Sequence, residues 1–131
     1  MNVPIQLSTT YKQNIPGKSL NGFEYQRVNN PTSDVTSKFL AELEYGKHCL
    51  LFSSGCAALS LLFSTLSSGD HVIAIFDVYG GTKRLIQQVF SKLGIESDFI
   101  DFGSFNVSKL DQAIKSNTKM IFAETPTNPM F

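Results

Sequence analysis

With 131 residues, 42% apolar and 17% charged, the chain has the composition of one globular domain or part of one, which excludes a disordered or low-complexity polypeptide. Eleven basic and eleven acidic side chains cancel. Nothing in that balance favours nucleic acid or a membrane surface as partner, so a phosphate site would have to come from local geometry.

The two cysteines, Cys49 and Cys56, form neither a disulfide framework nor a zinc site. They read as small buried apolar residues, and no metal site is expected. No basic-then-apolar leader opens the chain, and no apolar run reaches the roughly 20 residues of a membrane span. A soluble protein of the cytoplasm is the expectation.

Residues 1–32 carry Pro4, Pro16, Gly17, Gly22 and Pro31 and show little periodicity, which predicts an irregular, extended arm. From Ser33 the pattern turns helical. Val35, Phe39, Leu40 and Leu43 share one face, and Gly46 follows as a stop. The run Cys49 to Phe52 predicts a strand. Ser53-Ser54-Gly55 then opens a second helix through about Leu66, apolar nearly all round and so expected to be buried.

Val72 to Phe76 predicts a buried parallel strand. After Gly80-Gly81, the residues Leu85, Ile86, Val89, Phe90 and Leu93 mark a helix that Gly94 ends. Asp98 to Phe102 predicts a strand, Val107, Leu110 and Ile114 a helix, and Lys119 to Ala123 a further strand. This alternation implies βαβ units in a mostly parallel sheet with helices on its faces. The chain stops at Pro129-Met130-Phe131, straight after a strand and a Pro-rich turn. That end reads as an interruption.

Four short segments could carry chemistry. Ser53-Ser54-Gly55-Cys56-Ala57-Ala58 joins a strand to a helix start, where free N–H groups and the helix dipole can hold a phosphate. Tight packing explains small residues there equally well. No G-x-G-x-x-G or Walker pattern accompanies them, which leaves a generic nucleotide-binding domain unsupported. Asp77-Val78-Tyr79-Gly80-Gly81-Thr82-Lys83-Arg84 follows a buried strand, where open α/β sheets put their ligands. Tyr79 can present a flat face to an aromatic ligand and exchange a proton, or simply cap the sheet.

In the arm, Tyr25 and Arg27 alternate on what reads as an extended segment, so they point the same way and could clamp a phosphate. A solvated arm is the alternative. Glu124-Thr125-Pro126-Thr127-Asn128-Pro129 is a rigid turn that sets Glu124 and Asn128 at a ligand edge.

Taken together and in this order, these segments resemble the Cys/Met-metabolism family of pyridoxal 5′-phosphate (PLP) enzymes, the trans-sulfuration enzymes. The resemblance rests on Tyr-x-Arg-x-x-Asn-Pro-Thr, Ser-Ser-Gly-x-Ala-Ala, Asp-x-Tyr-Gly-Gly-Thr and Glu-Thr-Pro-Thr-Asn-Pro, with Leu7-Ser8-Thr9-Thr10-Tyr11 in the arm. It spans essentially the whole chain. Its cystathionine γ-lyase branch is closest, through Ser8-Thr9-Thr10-Tyr11-Lys12-Gln13 and Gly22-Phe23-Glu24-Tyr25.

The resemblance implies a truncated, aspartate aminotransferase-like (fold-type I) α/β domain over residues 33–131, preceded by an inter-subunit arm over residues 1–32. It implies PLP as cofactor, a small sulfur amino acid as substrate, and a dimer-built homo-oligomer, a tetramer in full-length form. Tyr25 and Arg27 would reach the partner subunit's PLP phosphate, with Arg27 also facing substrate. Gly55 and Cys56 would donate backbone N–H groups to the phosphate, supported by Ser54. The family often has Met or Leu where Cys56 stands, a change that a backbone contact survives.

Tyr79 would stack on the pyridine ring and act on the incoming amine, and so is the catalytic candidate. Arg84 would bind the substrate carboxylate, Asn128 would sit near the cofactor's 3′ oxygen, and Glu124 would support the site. The lysine that bonds covalently to PLP and the aspartate that pairs with its ring nitrogen would lie beyond residue 131. Lys83, Lys92, Lys115 and Lys119 stand outside the family's lysine context. A carbon–sulfur lyase cleaving cystathionine to cysteine, 2-oxobutanoate and ammonia is the expected parent activity. Cystathionine β-lyase, cystathionine γ-synthase and methionine γ-lyase share the motifs. A chain lacking that lysine is expected to be inactive, at most pairing with full-length subunits.

Overall fold

The structure, a computed structural model, describes residues 4–101 and 107–127. They form two compact units, 1–51 and 52–131.

In the first unit the arm is more ordered than its composition predicts. Strands β1 (Gln13–Ile15) and β2 (Lys18–Ser19) make a small antiparallel hairpin. Gly17 sits in its turn at φ 80°, a conformation that costs a residue without Cβ little. Residues 9–11 run antiparallel to 24–26, with Gln26 N–H donating to Thr9 O and Tyr11 N–H to Glu24 O. Helix α1 (Pro31–Leu43) starts ahead of the apolar spacing that marks it from Ser33. Asn30 caps it by accepting from Ser33 N–H at 2.9 Å, and Pro31 occupies the first turn, where no N–H is needed. Val35, Phe39 and Leu43 on its apolar stripe are exposed, and only Ala41 is buried.

The predicted strand over Cys49 to Phe52 does not form. No described segment pairs with it, and Leu50, Leu51 and Phe52 are exposed. An unpaired apolar run has no ladder to satisfy its backbone.

The second unit is an α/β layer. Strands β3 (His71–Ile75), β4 (Glu96–Ile100) and β5 (Thr118–Phe122) form a parallel sheet in the order β4-β3-β5. Central β3 is buried on both faces, as its unbroken apolar run predicts. Helix α2 (Gly55–Phe63) packs on the Val72/Ala74 face, together with a helical stretch made of α3 (Gly80–Arg84), a π-helical turn (Leu85–Val89) and a 3-10 turn (Phe90–Leu93). Phe63 is the hub, its ring 5.6 Å from that of Phe90 and 5.7 Å from that of Phe122. Gly94 ends the stretch in the left-handed conformation, as the sequence implies. Helix α4 (Val107–Ala113) lies against β4.

Two burial expectations are corrected. Helix α2 is not buried all round: Leu61 and Leu62 are exposed, because only the face carrying Phe63 meets the sheet. Cys56 is exposed and Cys49 half-buried, so neither serves as core filling. Cys56 falls in the first turn of α2, at the open end of the layer.

The N-terminal edge of the sheet is tied by a polar network across all three strands. His71 on β3 is fully buried, with Nδ1 2.8 Å from Thr118 Oγ1 on β5 and Nε2 3.2 Å from Asp98 Oδ2 on β4. Lys115 Nζ lies 2.8 Å from the same carboxylate oxygen. The Lys115 hydrogen bond, more than any other influence, holds the Asp98 carboxyl below its usual 3.8, and desolvation only partly opposes it. A carboxyl lowered by folding contributes stability that is complete above 3.8 and is lost as pH falls through the lowered value. Asp98→Asn should therefore lower Tm at neutral pH, and its deficit against the parent chain should shrink as pH falls below that range. A deficit that stays constant from neutral to strongly acidic pH would contradict this linkage.

Candidate functional site

Parallel pairing puts the C-terminal ends of β3 and β5 side by side, with Ala74 in register with Phe122. The loops that leave these ends carry two of the sequence candidates, Tyr79 and Glu124. Open α/β sheets place their ligands at this edge.

Ser54 caps α2 by accepting from Ala57 N–H at 3.2 Å. The N–H groups of Gly55 and Cys56 precede the first intrahelical bond and find no acceptor among the described residues. A Cβ added at Gly55 would meet nothing within 4 Å, so the space beside this residue is open.

Tyr79 stands at the start of α3 with its ring about half exposed. Its backbone N–H donates to Glu124 Oε2 at 3.1 Å. A side chain at Gly81 would collide with the Tyr79 ring and lie 3.3 Å from Cys56 Sγ. This glycine is therefore what lets the ring settle against the first turn of α3, with the first turn of α2 beside it. Two motifs 23 residues apart in sequence, at Cys56 and Tyr79, thus meet across Gly81.

Lys83 is held over the rings of Phe76 and Phe99, at 4.7 and 5.4 Å from their centroids. Its neighbour Arg84 is exposed and without a partner among the described residues. Asn128 lies outside the described residues.

In the other unit, Tyr25 and Arg27 come together by a different route from the one predicted. Residues 26–28 form a turn, closed by Val28 and Asn29 N–H donating to Tyr25 O, and the segment is not an extended strand. The turn folds the Arg27 guanidinium over the Tyr25 ring, 4.7 Å from its centroid. Tyr25 itself is fixed by its bridge to Thr10. A phenol and a guanidinium are thus held together, with the guanidinium exposed.

One contact and one buried hydroxyl escaped the sequence reading. The Thr127 hydroxyl donates to Asp77 Oδ2, a second tie between the loops after β3 and β5. Thr82 is buried with its hydroxyl unpartnered. Both residues stand in segments that the motifs mark, but pairing Thr127 with Asp77 needs the strand order, which no local pattern carries.

The donor set fits PLP. An open helix start offers two unpaired N–H groups for a phosphate, and a flat exposed ring lies beside it for stacking.

Comparison with known proteins agrees. Residues 1–131 match the family of Cys/Met metabolism PLP-dependent enzymes. The chain is 49% identical over 128 residues to putative cystathionine gamma-lyase 2 of Caenorhabditis elegans, covering 97% of this chain and 32% of that protein. It is 45% identical to human cystathionine gamma-lyase, covering 96% of this chain and 30% of that one. A probable cystathionine gamma-synthase of Herpetosiphon aurantiacus is 46% identical, with 98% and 39% covered.

Among solved structures, metB from Corynebacterium glutamicum superposes with a TM-score of 0.92 at 46% identity, over 98% of this chain and 33% of that one. Cystathionine gamma-lyase from Lactobacillus plantarum, complexed with L-serine, gives 0.89 at 41%, over 97% and 32%. The chain therefore spans about a third of the length of most of these relatives. Matched along its whole length, the chain belongs to the Cys/Met metabolism family of PLP-dependent enzymes.

Proposed function

We propose that these residues form the N-terminal third of a trans-sulfuration enzyme of the cystathionine γ-lyase type, cleaving cystathionine to cysteine, 2-oxobutanoate and ammonia. The observation that carries the reading is the meeting of the open start of α2 with the Tyr79 ring across Gly81. PLP, when bound, supplies an electron-withdrawing ring that labilises the substrate α-carbon. The chain's own groups hold and orient. Gly55 and Cys56 N–H take the phosphate, kept in place by the Ser54 cap. Tyr79 stacks on the ring and moves a proton at the substrate amine. Arg84 takes the substrate carboxylate, Asn128 stands near the 3′ oxygen, and Glu124 supports the loop.

In the full-length form the arm, residues 1–32, reaches a partner subunit in a dimer-built homotetramer of the cytoplasm. Tyr25 and Arg27 then complete the phosphate site of the neighbour. Among the described residues no helix is long and apolar enough to cross a membrane.

A γ-synthase reading also has support, in the 46% identity to the probable cystathionine gamma-synthase. The full-length polypeptide decides between them. Release of 2-oxobutanoate from cystathionine marks the lyase, and cystathionine formation from cysteine and a γ-activated homoserine marks the synthase.

The 131-residue chain alone is expected to be inactive, since the family resemblance implies that the covalent lysine and the ring-nitrogen aspartate fall outside these residues. Incubated with PLP and cystathionine, it should release no keto acid beyond the rate of free PLP. Faster release would contradict this.

In the full-length polypeptide, Arg27→Ala should weaken the partner subunit's hold on PLP. One charge-assisted bond of this kind is worth about 1.5–3 kcal/mol, roughly a 10- to 150-fold change. A mixed dimer of one Arg27→Ala and one unaltered subunit reads this directly. The unaltered subunit should lose PLP faster, and the Arg27→Ala subunit should not. The reverse pattern would place Arg27 in its own subunit's site.

A further inference from the structure

Tyr79 is poorly equipped to hold its own position. It is the N-cap residue of α3, yet its side chain makes no capping bond. The next two positions are Gly80 and Gly81, which leave the first turn without side chains and with the greatest backbone freedom. In a capping box, the third helical residue would reach back to the N-cap N–H with a carboxylate or amide. That residue here is Thr82, whose buried hydroxyl has no partner. Nothing within the helix therefore fixes its start.

The missing contact comes from the neighbouring strand's loop. Glu124, two residues past the end of β5, accepts the Tyr79 N–H at 3.1 Å. Its carboxylate thereby also sits at the positive end of a helical stretch that runs on to Leu93. Three residues further on, Thr127 is buried and donates to Asp77 Oδ2, two residues before Tyr79. Two ties thus bracket the Phe76–Tyr79 turn from one loop.

We propose that Glu124 is the positioning residue of Tyr79: it caps α3 from another strand, with the Asp77–Thr127 bond as its brace, and so sets where the stacking ring stands. The inference rests on the reading of Tyr79 as the residue that faces PLP. It assigns Glu124 no contact with substrate or cofactor.

The test uses the full-length polypeptide with Glu124→Ala and Glu124→Gln. Amide hydrogen exchange in the cofactor-free protein reads the position of Tyr79. Glu124→Ala should speed exchange of the Tyr79 amide about tenfold or more, leaving the amides of Val72 to Ala74 unchanged. Glu124→Gln keeps a neutral acceptor and should speed it only a few-fold. In the PLP-loaded protein, kcat for cystathionine should fall with Ala and largely return with Gln, at little-changed KM.

An unaltered Tyr79 amide in Glu124→Ala would overturn the proposal. So would Gln restoring the amide without restoring kcat, because the carboxylate would then act in the chemistry. If Ala fails to fold, Gln alone decides: a rise confined to Tyr79 supports the cap, and no change refutes it. Unaltered protein that cleaves no cystathionine would fail the functional reading, while the exchange data would still judge the cap.

Discussion

The parallel pairing of β3 with β4 and β5 is the constraint on which the rest of the α/β unit depends. Central β3 is buried on both faces, so its register is fixed by packing as well as by hydrogen bonds. One shifted residue would turn Val72 and Ala74 away from Phe63 and Ile86 and bring Ile73 into their place. Parallel direction then sends every strand's C-terminal end to one edge. At that edge the loop carrying Tyr79 and the loop carrying Glu124 become neighbours, although 45 residues separate the two. The opposite edge is locked by His71, Asp98, Lys115 and Thr118. One edge is thus stapled by a polar network, and the other is left to present backbone donors and a ring.

Helix α2 links core and site. Its C-terminal Phe63 anchors it between Phe90 and Phe122, and a buried aromatic of this kind is worth about 3–5 kcal/mol against alanine. Packing at the far end of a nine-residue helix thus helps to orient the Gly55 and Cys56 N–H groups. An electroneutral chain can in this way offer an anion backbone donors at a helix start, which net charge does not reveal. Such donors are already oriented before a phosphate arrives.

Much of this was legible in the sequence, for reasons that differ by element. β3 and α2 announced themselves through an apolar run and a Ser-Gly helix start, whereas α1 begins at the Asn30 cap and Pro31, ahead of the apolar spacing that marks it from Ser33. The same logic misled where it treated an element as if its neighbours were given. Cys49 to Phe52 is apolar enough for a strand, but a strand exists only with a partner, and none pairs with it among the described residues. α2 is apolar all round, yet only one face meets the sheet. Tyr25 and Arg27 were expected to converge through strand alternation, and a turn with a cation–ring contact brings them together instead. Contacts such as Asp77–Thr127 depend on strand order, which lies beyond any local pattern.

The central claim is that the start of α2 receives the cofactor's phosphate through backbone N–H groups. The most direct measurement compares PLP with pyridoxal, which lacks the phosphate, by following backbone amide resonances in the full-length polypeptide. PLP should shift the Gly55 and Cys56 amide protons downfield, as charged acceptors do, and pyridoxal should leave them in place. Equal shifts from both compounds, or shifts from PLP that spare Gly55 and Cys56, would contradict the account.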